Sequence, residues 1–483
     1  MKTKKKVMNI NYENLSRVGA ETARAAALIK KSEQDITNNI LINSIIPPEN
    51  NVLRKVVRNF DVETDIPLEL PAFYTIAFIA AFLLNKRVRL IKNGQYIYPD
   101  MWLMILAPSG SSKTFSESII ETASGIKPNF SAGFASAKAY LFELEKSNYG
   151  FLFVDEVGQL LKGIDTQTYL LELHGYLLRT KDGKEIIRKT IDYQVSIANP
   201  HIVFVGSTVS DTFNKVTTVE SVLDGFYQRF MFVLATKDKN KKFIDYIDYN
   251  YERLISGIKE YFDQIKALLP DENETTEAET GTDKEITIDD IVVEVKKTEA
   301  ETDDEPEAKQ EQENFIDFTL CDNAVDVVKD EMSLYFGRRY EHIPDSFRRR
   351  IYFESYKIAM VYHFILLKNN KIIDEIDLRY ASKVAILHMK YLIGVLDLLD
   401  FNSVITHINN VDGAVEKLIK QCKAVNINTV TRHLLRYHKT TYSDIAETKK
   451  IVTALIDTTN YDKIKKNENP ANADNIYSLR GIK

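Results

Sequence analysis

The sequence predicts an α/β fold built around a parallel sheet, and three observations carry that expectation. Four short apolar runs, "MWLMILA", "YGFLFVDE", "HIVFVGST" and "RFMFVLA", fall between residues 101 and 235. They are β-rich and nearly unbroken, which suits strands covered on both faces. Helical stretches separate them, the alternation expected of an α/β core. The first run also opens into a turn of small residues, "APSGSSKT", followed by the helical pattern "FSESIIETA".

With 483 residues the chain has room for two or three domains. A hydrophobic content of 44% with 27% charged residues describes a soluble globular protein, and argues against a fibrous or wholly disordered one. The two cysteines, Cys321 and Cys422, are too far apart in sequence to form a metal-ligand pair and suit a reducing, cytoplasmic compartment. No secretory signal is expected, because the basic start "MKTKKKVMNINYENLS" is followed by no apolar core. The most apolar run, from Ala72 to Leu84, falls short of the roughly 18 residues of a membrane span and reads as a buried helix.

Residues 1–65 read as a polar, basic helical region ended by Pro47 and Pro48, and 66–270 as the α/β core. Residues 271–314 carry 18 Asp and Glu against four Lys and Arg, a local charge of −14, so the remainder stands at +8 although the whole chain is −6. That tract predicts disorder, with "EITIDDIVVEV" as a possible small hairpin. The mildly basic remainder permits a nucleic-acid partner. Residues 315–402 show helical periodicity, a helical lid, and 403–483 combine short helices, a basic turn and the strand pattern "NIYSLRG" in the order of a winged-helix-like module.

The turn after the first strand follows the phosphate-loop pattern G-x-x-x-x-G-K-[ST], with Ala107, Pro108, Ser109, Gly110, Ser111, Ser112, Lys113 and Thr114 in register. In that reading Lys113 reaches the β- and γ-phosphates of ATP, Thr114 sits on Mg²⁺, and backbone N–H groups from Gly110 to Lys113 cradle the phosphates. Two glycines of the pattern are replaced, by Ala107 and Ser112. Serine fits at 112 only if its φ is negative and its hydroxyl turns away. The plainer alternative is a serine-rich turn with a surface lysine. "YGFLFVDE" ends in Asp155 and Glu156, expected beside the loop strand, where Asp155 would hold the Mg²⁺ shell and Glu156 polarise the attacking water. In isolation the same pair could simply cap the next helix.

Thr208, ending the third run, is the candidate for contact with the γ-phosphate or the water, although Ser and Thr also end strands for local reasons. Arg229 precedes the fourth run and could reach a neighbouring subunit's γ-phosphate, or else make an ordinary surface ion pair. Asp182-Gly183 predicts the tip of a hairpin that displays Arg179, Lys181, Lys184, Arg188 and Lys189 to nucleic acid or merely to solvent. In the last segment a helix from Asn428 to His438 carries Arg432 and Arg436, which could enter a DNA major groove.

Taken together, "IPLELPAF", "LAPSGSSKT", "FVDEVGQLL", "ELHGYLLR", "GFYQRFMFV" and "YKIAMVYHFILLKNN" with "IIDEIDLRYASKVAILHM" resemble a broad family of phage, prophage and plasmid P-loop proteins of primase- or helicase-like type. The core is similar to the AAA+-like ATPase modules of superfamily 3 and minichromosome maintenance helicases. The resemblance implies an ATP- and Mg²⁺-dependent DNA helicase or translocase of a phage or mobile element, acting in a bacterial cytoplasm as a hexameric ring on single-stranded or forked DNA. It also implies a channel hairpin at Lys181–Lys184 and a lid arginine among Arg348, Arg349 and Arg350. A DNA-binding initiator or scaffold with little hydrolysis, and a regulatory ATPase of defence or anti-defence, are the alternatives.

Overall fold

The computed structural model describes residues 42–130, 136–166, 170–189, 194–217, 225–238, 241–270, 314–333, 345–421, 426–439, 441–442, 444–458, 461–465 and 476–479. The expectations for residues 1–41 and for the acidic tract, including "EITIDDIVVEV", lie outside these.

The two helices directly before the first strand differ in how much they bury. α1 (Val52–Glu63) starts at Asn51, whose side chain accepts from the Arg54 N–H at 2.9 Å, and buries one face through Val52, Leu53, Val56, Val57 and Phe60. α2 (Glu69–Asn85) is buried from Glu69 to Leu84 and packs against the main sheet. The apolar run is therefore a central core helix. Among the described residues no helix is long and apolar enough to cross a membrane.

A small sheet comes next. β1 (Val88–Lys92) and β2 (Gln95–Ile97) pair antiparallel. The main sheet begins at β3 (Trp102–Ala107), which leads through the small-residue turn into α3 (Lys113–Ser124). α4 (Ala137–Lys146), β4 (Tyr149–Asp155), α5 (Val157–Thr166) and α6 (Leu171–Lys181) follow. A ribbon of β5 (Ile186–Lys189) and β6 (Gln194–Ile197) then leads to β7 (His201–Val209), α7 (Ser210–Val216) and β8 (Met231–Leu234). The order across the main sheet is β4-β7-β3-β8, and every pairing is parallel. Phe130 adds a single parallel bridge to Leu152 of β4. The strands are buried almost throughout, as their unbroken apolar sequences require.

α8 (Ile258–Ala267) closes the segment before the acidic tract. After it, β9 (Ile316–Leu320) returns to pair parallel with β1, and Arg89 meets Asp317 at 2.6 Å across that pairing. α9 (Ala324–Met332), α10 (Asp345–Ile365), β10 (Ile372–Ile373) and α11 (Glu375–Lys420) continue the chain. β10 joins β9, giving the small sheet the order β10-β9-β1-β2. Residues on both sides of the acidic tract thus share one sheet and one core, whose buried members run from Ile42 to Leu399.

α11 is continuous across residue 402, where the sequence suggested a boundary. Val411, Val415, Val430, Leu434 and Val452 are buried but lie outside the main cluster. They belong to the end of α11, α12 (Ile427–Tyr437) and α13 (Ile445–Thr458). β11 (Tyr461–Lys465) and β12 (Ile476–Leu479) then form an antiparallel ribbon.

Candidate phosphate-loop site

The residues singled out in "APSGSSKT" and "VDE" converge at the C-terminal edge of the main sheet, the edge at which open α/β sheets bind ligands. β3 ends at Ala107, and the chain turns back through two left-handed residues, Gly110 at φ +70° and Ser112 at φ +53°. Ser112 departs from the expectation of a negative φ: the loop keeps a conformation that favours glycine and imposes it on a serine. The turn is braced by Ser111, whose hydroxyl donates to the Pro108 carbonyl at 2.7 Å, and by Ser116, which donates to the Ser112 carbonyl at 3.0 Å. α3 begins at Lys113 with no side-chain cap and no acidic residue in its first turn. Its leading N–H groups are therefore left to an anion or solvent.

The acidic strand is not beside the loop strand, as the sequence suggested. β7 lies between them. Asp155 pairs in register with Ser207, and that neighbour carries the contact across: the Ser207 hydroxyl donates to Asp155 Oδ1 at 2.8 Å. The other carboxylate oxygen accepts from the Thr114 hydroxyl at 2.7 Å. Glu156, held at φ +54°, turns back toward the loop, where Oε1 lies 3.8 Å from Lys113 Nζ and Oε2 accepts from Thr208 at 3.1 Å. A non-glycine residue in this region costs on the order of 1 kcal/mol, a strain concentrated at functional turns. Gly206 makes the arrangement possible from behind, because a Cβ there would meet Val157 of α5 at 2.8 Å.

The sequence reading missed three groups at this site. Ser207, the neighbour of the candidate Thr208, supplies the hydroxyl on Asp155 Oδ1. Tyr249 packs on Phe115 with ring centroids 5.4 Å apart and donates to Asp65, which lies well upstream of the loop, and no local sequence signal marks that pair. Glu117, buried on α3, has its carboxyl pushed up to about 7 by burial, then by Glu121 and Asp155. No cluster of three or more His, Cys, Asp or Glu suited to a metal occurs among the described residues. The donor set at the loop, one hydroxyl and one carboxylate, fits Mg²⁺, which keeps much of its shell as water and phosphate oxygens.

Arg229 is not brought to this cleft. It precedes β8, at the opposite edge of the parallel sheet, where Nε and Nη2 donate to Asp182 at 3.1 and 2.8 Å and Nη1 to the Gly225 carbonyl. Burial pushes the Asp182 carboxyl up, but Arg229, with Lys184 and Arg350 beyond it, leaves it below the ordinary range. Of the three lid candidates, Arg348 is buried beside Asp345, Arg350 stands in the field of Arg229 and Asp182, and Arg349 is exposed.

Asp182-Gly183 is a helix end, not a hairpin tip. The Gly183 N–H bonds to the Thr180 carbonyl at 3.1 Å and the Lys184 N–H to the Arg179 carbonyl at 2.9 Å, with Gly183 at φ +60°, closing α6 in a Schellman turn. The ribbon expected there begins one step later as β5–β6, and its connecting residues 190–193 lie outside the described ones. Lys181 is correspondingly buried, donating to the Asp100 carbonyl at 2.5 Å and lying 3.3 Å from Glu354. Arg179 donates to the Glu185 carbonyl, Lys184 lies 3.7 Å from Asp182, and Arg188 pairs with Glu172 at 3.0 Å, leaving Lys189 exposed. Arg432 and Arg436 are exposed on α12, whose buried face is Val430, Thr431 and Leu434. No protein-family model matches the chain, and the comparison with curated proteins returns no match.

Proposed function

We propose that the protein binds and hydrolyses MgATP at Lys113, Thr114, Asp155 and Glu156, and uses the turnover as an oligomeric motor on DNA. The observation that carries this reading is the contact of Thr114 with Asp155 at 2.7 Å, beside an ammonium 3.8 Å from the next carboxylate. In this reading Thr114 and Asp155 hold Mg²⁺, which supplies charge neutralisation at the transferring phosphoryl group. Lys113 and the open N–H groups of α3 bind the phosphates. Glu156 orients and polarises water, and Thr208 fixes that carboxylate. Pro108, Ser109, Gly110, Ser111 and Ser112 form the cradle.

A sheet order with the loop strand between β7 and β8, and the acidic strand beyond β7, supports a P-loop NTPase core of AAA+ type. Arg229, on the far edge from its own loop, suits a role at a neighbour's γ-phosphate once Asp182 releases it, which requires a ring. The sequence of α12, α13 and the β11–β12 ribbon supports a winged-helix reading with Arg432 and Arg436 toward DNA. Turnover of MgATP with and without single-stranded DNA, alongside native mass, tests the proposal. Lys113→Ala is expected to abolish DNA-stimulated turnover, and unchanged turnover in that variant would remove the assignment, as a monomeric mass would remove the ring. The left-handed Ser112 favours one second reading, a nucleotide-holding DNA-binding scaffold with little hydrolysis.

A further inference from the structure

Away from the phosphate loop, a cavity of about 820 Å³ opens between the β1–β2 hairpin, α9 and the start of α10. Two kinds of side chain dominate its wall. Lys92, Lys329 and Arg349 bring three cations from three different elements, and among the described residues no carboxylate lines the cavity. Tyr352, Phe353 and Tyr356 bring three rings from one face of α10.

The cations are poorly served by the fold itself. Lys92 Nζ sits 4.0 Å from the centroid of the Tyr356 ring, and burial together with the charge of Lys329 disfavours its protonated form. Two ammonium groups that repel each other, with no acid among the described residues of the wall, are a standing electrostatic cost, which an anion would remove. The rings, by contrast, are held firmly. Tyr352 donates to the Val325 carbonyl at 3.2 Å and its hydroxyl lies 3.2 Å from that of Tyr356. Tyr352 and Phe353 both stand edge-on to Tyr356, at centroid distances of 5.8 and 6.4 Å. Phe353 is left 41% exposed, an unusual position for a phenyl ring fixed beside three cations. A fixed aromatic face next to an anion site matches one ligand chemistry, a planar base joined to a phosphate.

We propose that this cavity is a second nucleotide-binding site, which stacks a base on the exposed ring of Phe353, held edge-on by Tyr356, and receives its phosphate between Lys92, Lys329 and Arg349. The site shares no residue with the phosphate loop and stands whether or not Lys113 supports hydrolysis. The same chemistry is offered by a single strand of DNA and by a free nucleotide. The neighbouring surface favours the strand, because Arg89 lies 3.8 Å over Tyr96 and 3.9 Å over Phe315, continuing the alternation of ring and cation.

The test uses the full chain in a Lys113→Ala background with EDTA, so that the phosphate loop contributes little. Fluorescein-labelled oligothymidylate and a fluorescent adenosine monophosphate are titrated separately and followed by anisotropy. Combined Lys329→Glu and Arg349→Glu should weaken binding at least about tenfold and flatten its salt dependence. Phe353→Ala, at an exposed position, should weaken it about five- to tenfold. Losses confined to the oligonucleotide identify the strand as the ligand, and losses with the mononucleotide identify the free nucleotide. Melting curves matching the parent show that the variants are folded. Unchanged binding of both probes overturns the site, and a loss with the charge reversals but not with Phe353→Ala overturns the base-stacking half of the proposal.

Discussion

Ser112 is where a single side chain bears most directly on chemistry. Its backbone is left-handed, so the β-carbon sits where the loop pattern has a bare glycine, next to the N–H groups that would face a phosphate. Relief of that strain is worth about 1 kcal/mol, but glycine also gives the unfolded chain nearly as much extra freedom. Ser112→Gly is therefore expected to change stability by less than about 1 kcal/mol while raising MgATP turnover severalfold, measured as steady-state phosphate release beside a thermal melt. Absence of turnover in both forms would favour the scaffold reading. The loop lysine and its threonine were legible in the sequence because they sit in a fixed-spacing pattern, and the acidic pair because it ends an apolar strand. The sign of the Ser112 φ was not, because backbone geometry is imposed by what the loop must join. Asp65 and Tyr249 were not legible either, since they meet only through tertiary packing.

Elements fared unevenly for the same reason. The four apolar runs announced their strands because burial on both faces leaves no polar alternation to confuse them, and α2 announced itself by length and composition. Their lateral order was hidden: nothing in "YGFLFVDE" says that β7 separates it from β3. At Asp182-Gly183 the signal was real and its meaning wrong, because a glycine ending a helix and one in a tight hairpin both need φ above zero. The attachment of α11 to the sheet is another contact that no pattern shows. His388 Nδ1 accepts from the Phe232 N–H of β8 at 2.8 Å, so the imidazole must be neutral at that nitrogen. Burial holds its pKa at about 4, with the Phe232 carbonyl pulling weakly the other way. The unfolded chain, with an ordinary histidine near 6.5, takes up the proton first. Stability should thus be lost as pH falls from about 6.5 toward 4, by roughly 2–3 kcal/mol in all. His388→Asn keeps an acceptor without a titrating group, so its melting temperature should fall less across that window than the parent's. Parallel profiles would show that acid acts elsewhere.

Across the whole molecule, the distribution of charge matters more than its total. The tract 271–314 concentrates −14 and leaves +8 on everything else. It enters after α8 and leaves directly into β9, which is held between β1 and β10. Both of its ends are therefore tied to the folded body, and Phe315 at the exit lies against Arg89, which also covers Tyr96. If the chain binds DNA as proposed, a strongly acidic tract anchored at that point would compete with it at low ionic strength and lose its influence once salt shortens the Debye length below about 8 Å. Replacing 271–314 with a neutral glycine-serine linker should tighten the binding of single-stranded DNA severalfold at 50 mM salt and leave it nearly unchanged at 300 mM, as read by fluorescence anisotropy across a salt series. The slope of log affinity against log salt should steepen with it, because contacts formerly screened by the tract now release counterions. Equal affinities and equal slopes for the two proteins would make the tract a spacer that joins α8 to β9 without electrostatic effect on DNA.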